Sequence, residues 1–308
     1  MLVQVTDLEH VLAAAVEEPA HRHLLRYQAS RREHPDDYRT CFWTDDNERP
    51  TLVVARQGAS CFAVARELEG YRRLADDLRH ERIEQDPPWP DEAARSDWGS
   101  RFPARGLFLN SSPLVLWELM CDAGFEPDPE DRKPRHAYLW TIEGEPRYSH
   151  LVKHPCRLGI GEELLPQLRQ GITYDEEGSY VRLCLRRGPS FVCEVGGEKV
   201  CWAATHAGGT MAMIYTPPEH RRHGYARSLA AFQIDYMLHE YKVACAHVVA
   251  TNVESQNLMR SFGARRIHDP VVWRVLYWPG EAAKARVHAE AQRQKTDSGG
   301  PGNAAAEE

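Results

Sequence analysis

Apolar residues at three- and four-residue spacing open the chain. Leu8, Val11, Leu12, Ala15 and Val16 share one helical face with Asp7 placed to start it, and Leu24, Leu25 and Tyr27 continue beyond Pro19, so residues 7–34 read as one or two helices. Residues 40–44 and 51–55 are rich in β-branched and aromatic side chains and predict two strands. They are joined by the turn-forming Asp45-Asp46-Asn47-Glu48-Arg49-Pro50. Residues 62–83 carry charges on one face and predict a helix, and residues 84–101, rich in Pro and acid, predict a loop. A short strand over 106–110, a helix over 113–123 with Pro113 in its first turn and Gly124 past its end, and a strand over 136–142 complete the first half.

The second half alternates in the same manner. Residues 149–172 read as a link with helical content and 180–185 as a strand, while 190–195 and 199–205 form a hairpin across Gly196-Gly197-Glu198. A strand over 210–216 precedes a helix over 227–241, with Ala230, Ile234, Met237 and Tyr241 on one face. A strand over 244–250, a helix over 252–262 closed by Gly263, and a strand over 271–278 follow. The Ala-, charge- and Gly-rich stretch after Pro279 is too poor in apolar residues to build a core, and 281–308 is expected to be a flexible tail. Helices and strands intermixed in this way predict a layered α/β (α+β) fold, with mixed, mostly antiparallel sheets flanked by helices.

Composition narrows the chemistry. Of 308 residues, 42% are apolar and 27% charged, and the net charge of −7 leaves no general positive field for nucleic acid or an anionic membrane. No apolar run reaches the length of a membrane span. The start Met1-Leu2-Val3-Gln4-Val5-Thr6-Asp7 lacks the basic-then-apolar pattern of a secretion signal. The eight cysteines are scattered, several within apolar strand-like runs, which predicts a reducing, cytoplasmic setting. His150, His154 and Cys156 match no ordinary zinc spacing, so no metal is expected.

Against that acidic background stands Tyr215-Thr216-Pro217-Pro218-Glu219-His220-Arg221-Arg222-His223-Gly224-Tyr225-Ala226, set between a strand and a helix. Helix starts present amides with no intrahelical partner and a positive dipole end. Gly224 and the small Ala226 let an anion approach the backbone, and Arg221, Arg222, Arg227 and His223 add charge. The segment is therefore expected to hold a phosphate.

Arg221-Arg222-His223-Gly224-Tyr225-Ala226 resembles the pyrophosphate loop of the GNAT superfamily of N-acyltransferases, whose pattern is Gln/Arg-x-x-Gly-x-Gly/Ala. Asn252-Val253-Glu254-Ser255 with Phe262-Gly263 resembles the family's second signature, and residues 180–278 follow its element order. The whole chain is similar to the glycine N-acyltransferase group, which joins a degenerate first half to a catalytic second half. The resemblance implies tandem GNAT-like domains at 1–148 and 149–280. It implies acetyl-CoA or another acyl-CoA as co-substrate and a small primary amine as acceptor. Residues implied to contact the cofactor are Ile214, Tyr215, Thr216, Arg221, Arg222, His223, Gly224, Tyr225, Ala226, Arg227 and Asn252. The first-half turn Asn110-Ser111-Ser112-Pro113 carries no such pattern, so that half is expected to be structural or to shape the acceptor site.

The family's acid and base positions are occupied by Met259 and Thr210, neither of which titrates usefully. Replacement candidates are His206, whose pKa class suits a base, Glu194 on a nearby strand, and Tyr215 as an acid. Glu219 is expected to pair with Arg221 or face solvent, and Cys245 is read as an inert buried thiol. Two readings follow: an acyl-CoA-dependent N-acyltransferase acting by direct attack, or a non-catalytic acyl-CoA-binding protein on the same fold.

Overall fold

The computed structural model describes residues 1–30, 40–57, 60–80, 106–128, 136–170, 178–267 and 270–283. One order of elements occurs twice. The first series is β1 (Val3–Gln4), α1 (Leu8–Ala15), α2 (Pro19–Ser30), β2 (Cys41–Thr44), β3 (Leu52–Gln57), β4 (Ser60–Ala65), α3 (Leu68–Arg79), β5 (Gly106–Pro113), α4 (Leu114–Asp122), β6 (Glu126–Pro127) and β7 (Ala137–Glu143). The second is β8 (Cys156–Leu158), α5 (Leu165–Gln170), α6 (Ser179–Arg187), β9 (Ser190–Val195), β10 (Glu198–Thr205), β11 (Met211–Tyr215), α7 (Tyr225–Tyr241), β12 (Val243–Val249), α8 (Val253–Ser261), β13 (Arg265–Arg266) and β14 (Val271–Tyr277). The expected loop over 84–101 and the tail beyond 283 lie outside the described residues.

The final strands of the two series exchange places. The sheet runs β1-β2-β3-β4-β5-β14-β7-β12-β11-β10-β9-β8. Thus β7 pairs antiparallel with β12 from Val243↔Glu143 to Val249↔Ala137, and β14 pairs with β5 from Val271↔Pro113 to Tyr277↔Gly106. The pair Val271↔Ala137 joins the two half-sheets into one. Parallel pairing occurs at β4–β5 and at β11–β12, which occupy the same place in each series.

Helices cover both faces. On one, α7 and α8 bury Ile234, Met237, Met259 and Phe262 against Trp140, Ile142, Ala244 and Ala246. On the other, α1 and α2 lie across both half-sheets, packing Val11, Leu12, Leu24 and Leu25 against Phe42, Val53 and Phe62 and also against Leu139, Val243 and Cys245. The N-terminal helices therefore belong to the packing of the second half as much as the first. Specific bonds add to this burial: His23 Nε2 lies 3.0 Å from the Gly209 carbonyl, and Tyr27 O–H donates to the Arg187 carbonyl at 2.9 Å.

Two segments fold differently from their sequence reading. Residues 180–185 are helical, within α6, although Val181, Leu183 and Leu185 alternate as in a strand. The buried positions are Val181, Leu183, Cys184 and Arg187, which fall on one side of a helix, while Leu185 is only half-buried. Residues 62–65 are strand, within β4, and the helix begins only at Leu68. No Gly or Pro separates the two, so a fully buried strand and an amphipathic helix read as one apolar run. The link over 149–172 also contains strand β8.

Gly209 has φ +91°, and a Cβ there would lie 2.6 Å from the Tyr27 ring. Gly209→Ala is expected to lower stability by about 2–4 kcal/mol through left-handed strain and overpacking, read by denaturant unfolding.

Candidate active site

Strand β11 leaves its neighbour almost as soon as it meets it. Met211↔Ala246 is the register pair recorded between β11 and β12, whereas β12 stays paired with β7 along its length. A bulge drives the departure. Trp202↔Tyr215 and Ala204↔Ala212 bracket two steps on β10 but three on β11. The extra residue is Met213, held at φ +56°. Bulges bend and twist the strand that carries them, so the edge of β11 beyond Met211 faces a wedge-shaped opening instead of another strand.

The charged segment lies at the far end of that edge. Pro217 ends β11 and a short 3-10 turn spans Pro218–His220. Arg222 at φ +68° and Gly224 at φ +83° then fold the chain into α7. The first intrahelical bond is Ser228 N–H to the Gly224 carbonyl at 3.0 Å. The amides from Arg222 to Arg227 precede it and have no acceptor among the described residues, so they are available to an anion. Gly224 is open on its outer side, with His154 Nε2 3.8 Å from the position of an added Cβ. Arg221 turns back, donating from Nε to the Thr216 carbonyl at 3.0 Å and lying 5.9 Å from the Tyr215 ring centre. Arg222, His223 and Arg227 are exposed.

Residues far away in sequence brace the loop. Buried Ser228 accepts the amides of Lys153 at 2.6 Å and His154 at 3.0 Å on its hydroxyl. His154 Nε2 sits 3.0 Å from the His223 carbonyl, and its ring meets Tyr225 edge-on at 4.6 Å. Tyr225 in turn stacks on His223 at 5.5 Å. The 153–154 segment, read from sequence only as a link, thus fixes the loop's shape.

Ile214, Tyr215, Thr216 and the residues from Arg221 to Arg227 come together around the opening and the helix start. Asn252 lies past the end of β12, where its Oδ1 accepts the Ser255 amide at 3.0 Å and caps α8. Glu194 stands apart, on β9 opposite Lys199 and two strands from β11. Both its carboxylate oxygens accept from Arg157, at 3.0 and 2.8 Å, and these bonds hold its pKa below the usual carboxylate range. Tyr215 is half-buried, with its ring 5.5 Å from Trp202. Glu219 is exposed to solvent. Thr210 is buried, and its carbonyl accepts the His206 amide at 2.8 Å; Met259 is in the core. Burial pushes the Cys245 thiol up to about 12, consistent with an inert group.

His206 lies in the turn between β10 and β11, with Nδ1 2.8 Å from the Tyr180 hydroxyl of α6. Burial pushes its pKa down to about 4. A second histidine, missed in the sequence reading, is His247 on β12, one residue beyond the last pair before the strands part. Its ring meets Trp273 edge-on at 5.1 Å, and its buried Nε2 has no hydrogen-bond partner among the described residues. Burial first, then the nearby His206 and His21, push its pKa down to about 3. Both imidazoles are therefore neutral at pH 7. The available signal was that His247 is the lone polar residue in an apolar strand.

The equivalent place in the first series is closed. The turn there is Arg66-Glu67, between β4 and α3, and not the Asn110-Ser111-Ser112-Pro113 segment expected from sequence, which follows β5. The Ala65 amide donates to Tyr71 Oη at 3.0 Å, and a Cβ on Gly70 would lie 2.8 Å from Ala65 Cβ, so helix and strand leave no space for a ligand. The strands also stay bridged, with Ser112 O–H donating to the Cys61 carbonyl at 3.2 Å. Among the described residues, no group of three His, Cys, Asp or Glu side chains is placed to hold a metal, and no helix is long and apolar enough to cross a membrane.

Residues 192–273, which contain the opening and the charged loop, match the model of the FR47-like protein family. No curated protein matches the chain. A solved Drosophila protein is similar in fold, with a TM-score of 0.63 at 18% identity over 90% of this chain and 98% of that one. A tandem GNAT protein from the clavulanic acid biosynthesis pathway gives a TM-score of 0.49 at 14% identity, covering 89% and 98%. An acetyltransferase of the GNAT family from Colwellia psychrerythraea gives 0.46 at 10%, covering 89% and 99%. At 18% identity, the likeness to the Drosophila protein is one of fold.

The two neutral histidines make stability depend on pH. Each titrates near 6.5 when unfolded and near 4 or 3 when folded, so the unfolded chain binds more protons between those values. Stability is expected to be full above about pH 6.5 and to fall as pH drops toward 4, by up to about 1.4 kcal/mol per pH unit for each histidine. Denaturant unfolding of the wild type and of His206→Gln/His247→Gln across this window checks it, the variant giving the flatter profile.

Proposed function

We propose that the protein is an acyl-CoA-dependent N-acyltransferase, transferring an acyl group, acetyl in the simplest case, to the primary amine of a small molecule or amino acid. One observation carries the reading: the unpaired edge of β11 leads straight onto the unpartnered amides of Arg222 to Arg227. An edge strand accepts an extended amide-bearing arm as an added strand, and a helix start accepts phosphate. A CoA thioester carries both groups in that order. The edge from Ala212 to Thr216 would hold the pantetheine arm, and Gly224, Tyr225, Ala226 with Arg222 and Arg227 the pyrophosphate. The likeness to the glycine N-acyltransferase group, and a first half that serves structure and the acceptor side, are parts of this proposal.

Acyl transfer to an amine requires loss of an amine proton, a donor to the developing oxyanion, and departure of the thiolate. A backbone N–H of the β11 edge near Ile214 suits the donor role. His247, whose neutral Nε2 has no partner among the described residues, lies where the strands part and suits accepting a hydrogen bond that orients the amine, with the His206–Tyr180 pair beyond it; the amine proton leaves to solvent. Tyr215, at the loop end of the edge, remains the candidate to protonate the leaving thiolate.

Gly224→Glu introduces a negative side chain at the helix start and is expected to abolish the CoA-induced rise in melting temperature. The ligand-induced shift is the readout, because the residue's positive φ alone costs about 1–2 kcal/mol. His247→Gln is expected to keep that shift while lowering kcat by about 10²-fold through lost positioning of the amine, in a thiol-release assay with acetyl-CoA and a panel of amines. CoA binding with no turnover on any amine would favour the non-catalytic binding protein instead.

A further inference from the structure

Three cysteines stand in line across adjacent strands below the N-terminal turn of α7. Cys156 on β8 is opposite Cys193 on β9, and Cys193 is opposite Cys201 on β10. All three face α7, packing with Leu229, Tyr225, Ala226 and Ile214. The ladder distinguishes the two contacts. On one side, Glu194 N–H bonds the Pro155 carbonyl at 3.0 Å and Gly159 N–H bonds the Ser190 carbonyl at 2.8 Å, which makes Cys156↔Cys193 a non-hydrogen-bonded pair. On the other, Thr205 N–H bonds the Pro189 carbonyl at 3.0 Å, and counting along the register makes Cys193↔Cys201 a hydrogen-bonded pair. Non-hydrogen-bonded pairs bring Cα atoms to about 4.5 Å with side chains closer, against about 5.5 Å for the other class. The closer spacing is within disulfide range, and its side chains lean together.

We propose that Cys156 and Cys193 are an oxidisable dithiol whose disulfide disturbs the support of the loop at Gly224. Cys156 is half-buried and open to a small oxidant such as a peroxide, while Cys193 and Cys201 are buried. The Cys156 sulfur attacks the O–O bond to give a sulfenic acid, its thiol proton leaving with the released oxygen as water. The Cys193 sulfur then attacks Cys156; the S–S bond forms, the S–O bond breaks, and a second water departs with the Cys193 proton. Two thiols and one peroxide thus give one disulfide and two waters. Cys156 is the more accessible thiol and Cys193 the buried one, which suits Cys193 as the resolving nucleophile. Closing the bridge draws Cβ atoms from the cross-strand 4.5–5.5 Å to about 3.8 Å. That pulls β8 toward β9, and His154, two residues before Cys156, is the side chain touching the His223 carbonyl and Tyr225.

The loop consequence rests on the acyl-CoA reading; the disulfide does not. Treatment of the full chain with hydrogen peroxide, followed by non-reducing peptide mapping, is expected to give a 156–193 crosslink with the loss of two hydrogens. Cys201→Ser should retain it, Cys156→Ser and Cys193→Ser should abolish it, and a reducing thiol should reverse it. A 193–201 crosslink, or only unlinked oxidised cysteines, would overturn the assignment. CoA affinity is expected to weaken several-fold on oxidation and to recover on reduction, with Cys156→Ser insensitive. Equal affinity of the two redox forms would overturn the coupling, whereas no CoA binding by either form would count against the proposed function and leave the crosslink map to decide the dithiol.

Discussion

Beyond Met211, β11 has a neighbour on one side only. An unpaired strand edge inside a sheet exposes amides and carbonyls that must find partners in solvent or ligand. Here one inserted residue, Met213 in a left-handed conformation, bends the strand away from β12 and keeps the edge open. The other features of the site follow from that wedge. It sets where Pro217 stops the strand, where α7 starts, and which residue of β12 stands at its apex.

A wedge of this kind weakens a sheet at its centre, and the strand exchange offsets the loss. β7, from the first series, pairs with β12 along its length, and β14, from the second, pairs with β5. The helices α1 and α2 then cross both halves, placing His23 and Tyr27 against the turn that carries His206. Cutting the chain between the two series would strip each half-sheet of a strand. The first series repeats the order of elements but closes its own wedge with Tyr71, Gly70 and Ser112, so one series is sealed and the other open.

Proton affinity in the open half rests on burial more than on charge. His206 and His247 are kept neutral because desolvation disfavours the imidazolium, and for His247 the nearby His206 and His21 add to that cost. Glu194, a carboxylate that looked available, is instead fixed by Arg157 in a partly exposed ion pair. The same turn of α7 that presents amides outward covers a row of thiols inward, so the loop's support and its sulfur chemistry share one piece of backbone.

The charged loop, its Gly224 and the strand–loop–helix order around it were legible in the chain, because anion binding by backbone amides needs a local arrangement that a short stretch encodes. Most strands and helices were legible for the same reason, their periodicities being local. Where a buried strand ran into a helix without a Gly or Pro, at 62–68, or where a helix carried apolar residues at alternate positions, at 180–185, the local signal was ambiguous. Tertiary structure alone decided the exchange of β7 and β14, the bracing of the loop by Ser228 and His154, the ion pair that occupies Glu194, and the placement of His247 at the apex. Each of these joins residues tens of positions apart, and strand partners, burial and proton affinity are properties of what surrounds a residue in space, which no stretch of neighbouring sequence records.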